Sequence, residues 1–127
     1  MPIRYDIDHQ NRLVLTVASG VLTDSELLEH KRKLSRDQEF EAGMAELSDV
    51  RGVDQLDVTP EGVRTFVAQD AKDAARFRDY KLAIVASEDL VFGMARMYQT
   101  LTANNNSNVA VLRSIAQARA WLGLQGA

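Results

Sequence analysis

Along the opening residues the apolar positions recur every second place. Ile3, Tyr5 and Ile7 alternate with Arg4, Asp6 and Asp8, the period of a strand with one buried face. His9-Gln10-Asn11 is a polar turn, and Leu13 to Ala18 is a second apolar run, so the chain should open with a hairpin that Ser19-Gly20 ends. The period then changes. Thr23-Asp24-Ser25-Glu26 spells a capping box with Leu22 and Leu27 placed as its hydrophobic staple, which predicts a helix to about Ser35. A strand is expected near Met44 to Val50, and a helix from Thr59 or Pro60 to about Arg78. Lys81 to Ala86 reads as a short buried strand. Ser87-Glu88-Asp89 should cap a third helix reaching about Thr102. Asn104-Asn105-Asn106-Ser107-Asn108 is a loop by composition, Val109 to Leu112 a last strand, and Ser114 the cap of a final helix ending at Gly123.

The order ββαβαβαβα predicts an α/β fold. About five strands should form a mixed, mostly parallel sheet with an antiparallel hairpin at its start, covered by about four helices. Residues 1–127 show no repeat or linker and read as a single domain. Hydrophobic residues make up 46% and charged residues 26%, which suits a globular core and argues against disorder. The net charge of −3 argues against a nucleic-acid partner, which needs a basic face. Lys31-Arg32-Lys33, beside Glu26 and Glu29, reads as a solvated helix face. The absence of cysteine excludes disulfides and thiolate chemistry and suits a cytoplasmic location. No apolar run is long enough for a membrane span.

"LSDVRGV" followed by Asp57-Val58-Thr59-Pro60 places a short polar motif between a strand and a helix. With the element order above, this resembles the STAS domain family, which includes the bacterial anti-sigma-factor antagonists. "SGVLTDSEL" and "VFGMARMYQ" are similar to segments of its SpoIIAA-like, STAS/SEC14-like branch. The resemblance implies a STAS-like fold and a non-enzymatic regulatory or protein-interaction module, with binding or carrying of a small apolar ligand or lipid as the alternative. It also implies that Thr59 stands where the antagonists carry a phospho-acceptor Ser, with Asp57 as the motif's acid. Pro60 replaces the family's glycine, and Asp57 and Glu61 would repel a phosphate. The other reading of Thr59 is a helix cap, because Pro60 follows at the first helical position and Glu61 in the first turn.

Asp70 falls on the apolar stripe of Val63, Phe66, Val67, Ala71, Ala74 and Phe77. Either it has a partner or faces a cavity, or it lies at the stripe's edge and reaches water; the second is the simpler. On the third helix Phe92 falls opposite the apolar face, with Arg96 and Gln99, which is the composition of a contact surface. That face is the expected interface of a homodimer, with the first strand's edge as its competitor. Phe66, Phe77, Met94, Met97 and Tyr98, with Asp70, are the expected lining of a ligand pocket between sheet and helices. His9 in a turn and His30 on a polar helix have no second ligand at metal spacing, so no metal is expected. No cofactor motif, nucleophile elbow or glycine-rich phosphate loop is present.

Overall fold

The computed structural model describes residues 2–103 and 108–124. Its strands are β1 (Ile3–Asp8), β2 (Leu13–Thr23), β3 (Ala45–Asp57), β4 (Lys81–Val85) and β5 (Asn108–Leu112). Its helices are α1 (Asp24–Arg36), α2 (Pro60–Lys72), α3 (Asp89–Leu101) and α4 (Ile115–Trp121). The strands form one sheet in chain order, β1-β2-β3-β4-β5. β1 pairs antiparallel with β2, and the other three pairings are parallel. The chain therefore steps across the sheet one strand at a time in one direction. Crossovers of a single hand then place the connecting helices on one face. α1 packs on α2 and α2 on α3, while α4, which follows the last strand, covers the opposite face.

The alternation of side chains along the strands builds two cores. Val14, Leu82 and Ile84 point beneath α1–α3, with Leu34, Phe40, Met44, Phe77 and Tyr80. Leu13, Leu47, Ala83 and Val85 point the other way, onto Ala118, Ile115 and Trp121. β4 is covered on both faces, which is why its sequence is a continuous apolar run rather than an alternating one. Phe40, 1% exposed, stacks on Phe77 and Tyr80, and burying such a ring stabilises by about 3 kcal/mol. Thr23, Thr59 and Ser114 each accept a hydrogen bond at the N-cap of their helix.

Three boundaries and one helix cap differ from the sequence pattern. Ser19-Gly20 does not end β2; the strand continues to Thr23 through register shifts on either side of Ser19-Gly20, with Gly20 at φ +72°. β3 correspondingly runs past Val50 to Asp57, because Ser19–Thr23 remain paired with Gly52–Asp57. α2 stops at Lys72 rather than near Arg78. The amides of Arg76 and Phe77 bond to Asp73 O and that of Tyr80 to Phe77 O, in turns that drop both rings onto Phe40. The N-cap of α3 is Glu88, whose side chain makes no capping bond. The asparagine-rich loop lies outside the described residues apart from Asn108, which begins β5.

Candidate functional site

Ala45 and Leu47 take the α4 side of β3, so Glu46, Ser48 and Val50 face the helices. A carboxylate in that position must find partners. Glu46 Oε2 accepts from the Thr16 hydroxyl on β2 and lies 3.1 Å from His30 Nε2 on α1. An ionised carboxylate only accepts, so the proton of that bond sits on Nε2. Burial by itself would raise the Glu46 carboxyl. The hydrogen bond and charge of His30, the Thr16 bond and the charge of Lys31 outweigh it and leave the group below its ordinary value. Glu46 is thus a buried anion. Its other oxygen, Oε1, has no hydrogen-bond partner among the described residues.

A second buried pair lies alongside. Lys31 Nζ meets Asp70 Oδ1 in an ion pair, with the side chains 7% and 5% exposed. The ammonium also sits 3.4 Å from the centroid of the Phe77 ring. Asp70 Oδ2 accepts from the Tyr98 hydroxyl at 2.6 Å. Burial first, and then the charge and hydrogen bond of Asp70, push the Tyr98 hydroxyl well above its ordinary range, so it stays protonated and donating. Asp70 therefore joins α2 to both α1 and α3.

Between the sheet and α2 lies a cavity of about 130 Å³, partly open to solvent. α2 rests mainly on α1 and α3, which leaves room beneath it. The floor is Glu46, Ser48, Val50, Leu82 and Ile84; Leu22, Leu27 and His30 form one wall and Val91, Met94, Ala95 and Tyr98 the other. Val63 and Phe66 are the roof, and Leu56 and Val58 also border it. All but His30, Glu46, Ser48 and Tyr98 are apolar.

Of the residues named from sequence, Phe66, Met94 and Tyr98 line this cavity and Asp70 stands behind Tyr98. The solvent-edge reading of Asp70 is wrong, since it is buried and doubly partnered. Phe77 belongs instead to the aromatic cluster under Lys31, and Met97 packs against the apolar core without lining the cavity. Lys31 and His30 are not on a solvated face: their partners, Asp70 and Glu46, draw them inward. His30, Lys31, Glu46 and Ser48 were missed. The signal for Lys31 was its place between Leu27 and Leu34 on the apolar stripe of α1.

Thr59 Oγ1 accepts from Gly62 N at 2.9 Å, and its own N–H and O–H donate to the two carboxylate oxygens of Asp24, at 2.9 and 2.7 Å. Asp57 is exposed, and both its oxygens accept from Gln55 Nε2. A phosphate on Thr59 would displace the Asp24 carboxylate and face its charge. Phe92 is not an open contact residue. The Arg113 guanidinium lies 3.8 Å over its ring, and Gln99 Nε2 donates to Val109 O; of that trio only Arg96 is exposed. β5 and the segment after it cover the face that the helical period alone left open.

No family model matches the chain, and no curated protein does. Among solved structures it is similar to an uncharacterised protein from the DUF3478 family of Shewanella loihica PV-4, described as having a SpoIIAA-like fold. The identity is 16%, the TM-score 0.61, and the match covers 94% of this chain and 93% of that one. The element order, the mixed five-stranded sheet and this match establish a SpoIIAA-like fold. Among the described residues no helix is long and apolar enough to cross a membrane.

Proposed function

We propose that this protein is a non-enzymatic binding module that holds a small apolar ligand beneath α2. The cavity supports the reading: an apolar chamber of about 130 Å³ whose polar lining groups are His30, Glu46, Ser48 and Tyr98. Apolar cavities of about 150 Å³ admit benzene-sized molecules, so a compact ligand fits better than a long lipid chain. The ionisable groups around it are chiefly engaged with each other, Glu46 with His30 and Asp70 with Lys31 and Tyr98, an arrangement that fixes a wall rather than poises a nucleophile or base. Native mass spectrometry of gently purified protein, with thermal-shift titration of toluene, tests it. A bound small molecule or a toluene-dependent rise in Tm, both lost in Ala95→Phe, is the expected result. A bare protein that neither toluene nor phenol nor benzoate stabilises refutes it.

A second reading is the regulatory or interaction role implied by the SpoIIAA-like fold, and one observation favours it. α4 covers only part of its sheet face, and Leu15 and Val17 on β2 remain 38% and 37% exposed there. Self-association as a homodimer would use this patch rather than Phe92. Sedimentation at rising concentration should then show a dimer that Leu15→Lys dissociates and Phe92→Glu does not. A protein that stays monomeric ends this reading.

A further inference from the structure

We infer that Glu46 Oε1 is the acceptor that orients the ligand, so that the cavity selects a compact apolar molecule carrying one O–H or N–H donor and rejects carboxylates. The inference rests on the cavity-binding reading and names its ligand class. Glu46 is 4% exposed and lines the chamber, yet only one of its oxygens is used. Oε2 takes both the Thr16 and the His30 bond, which locks the carboxylate's orientation. Oε1 is left without a partner among the described residues, on a group held as an anion. An anionic oxygen without a protein partner, in an apolar chamber partly open to solvent, favours a ligand that brings it a donor, because a charge-assisted bond is about twice as strong as a neutral one. Ser48, next on the same face of β3, also lines the chamber, and its hydroxyl makes no hydrogen bond among the described residues. It can accept from or donate to the same ligand group. A fatty acid or other anion would instead bring a second negative charge against Glu46.

Phenol, toluene and benzoate test this, because they share a ring of the right size and differ only in the polar end. A chamber without an acceptor ranks toluene above phenol, since the buried hydroxyl is left unpaired. Isothermal titration of the full chain should show the reverse, phenol tighter than toluene by about tenfold, and no detectable binding of benzoate. The Glu46 carboxyl carbon should shift in the NMR spectrum on adding phenol and not on adding toluene. Glu46→Gln should reduce the preference for phenol; should that variant fail to fold, the wild-type ranking and the carbon shift decide. Toluene equal to or tighter than phenol overturns the inference and leaves the cavity reading standing. Binding of benzoate overturns it too. Failure of all three to bind removes the cavity reading, and this inference with it.

Discussion

Replacing Lys31 with Met keeps a long flexible stem and deletes the ammonium. In the folded protein that leaves Asp70, 6% exposed, as an anion whose remaining partner is the Tyr98 hydroxyl. Breaking one side of a buried pair costs about 3–5 kcal/mol, because the survivor keeps its desolvation penalty. Loss of the ammonium from over the Phe77 ring, 3.4 Å to its centroid, works in the same direction. A domain has about 5–15 kcal/mol of net stability, so Lys31→Met should bring the protein near its unfolding threshold. Urea unfolding followed by circular dichroism should show a lower midpoint at unchanged slope. The triple variant Lys31→Met, Asp70→Leu, Tyr98→Phe removes every charge and donor of the cluster together. It should recover to within about 1 kcal/mol of wild type, since apolar replacements of a buried pair are often neutral or better. A Lys31→Met protein within about 1 kcal/mol of wild type would refute the reasoning: the ammonium would then be solvated and Asp70 in no need of it.

Three further outcomes are expected. Thr59→Ala should cost about 2 kcal/mol in urea unfolding, the upper end for a cap, because it removes the hydroxyl's bonds to Gly62 N and Asp24 Oδ2, leaving only the backbone N–H bond to Asp24 Oδ1; a loss under about 0.5 kcal/mol would discount the hydroxyl's part in the Asp24 tie. Gly62→Ala should destabilise although Ala favours a helix, since the new Cβ would lie 2.0 Å from the Asp24 carboxylate; in an Asp24→Ala background the same change should stabilise by about 0.5–1 kcal/mol. The Glu46 carboxyl is lower in the folded than in the unfolded chain, so the unfolded chain binds the extra proton. Its contribution is complete above the ordinary value of 4.5 and is lost as pH falls through the folded value. The stability difference between wild type and Glu46→Gln should shrink over that acidic window, and a difference independent of pH would contradict a native-state anion.

The fold was legible because its signals are local. Period-two alternation marked β1, and Thr23, Thr59 and Ser114 marked three helix starts by a side-chain chemistry that works within one turn. The ends were harder. β2 and β3 run on through Ser19-Gly20 and Arg51-Gly52 because each pairs with the other, a long-range effect invisible in either segment. The site was half legible for the same reason. Asp70 announced itself as a carboxylate on an apolar stripe, but its partner sits on another helix within a basic run that looked solvated. Glu46 gave less warning, since a single acid in a short strand reads as an exposed position until the sheet assigns its face. Phe92 misled because helical period says which face a residue takes, not what lies over it.

α2 carries polar ties at both of its ends. Thr59 ties its start to Asp24, Asp70 ties its last turn to Lys31 and Tyr98, and just beyond it Arg76 bonds to the carbonyls of Ser35 and Asp37 at the end of α1. On the proposed cavity reading, a molecule too large for the chamber's opening would have to loosen one of those polar clasps, none of which has to change once it is inside. For such a molecule the clasps would raise the barrier to entry and exit without altering the depth of the bound state. On that reading affinity would be set by the chamber's lining, and residence time by the fastenings of its roof. Variants at Asp24 or Arg76 should hasten exchange in both directions while leaving the equilibrium almost where it was.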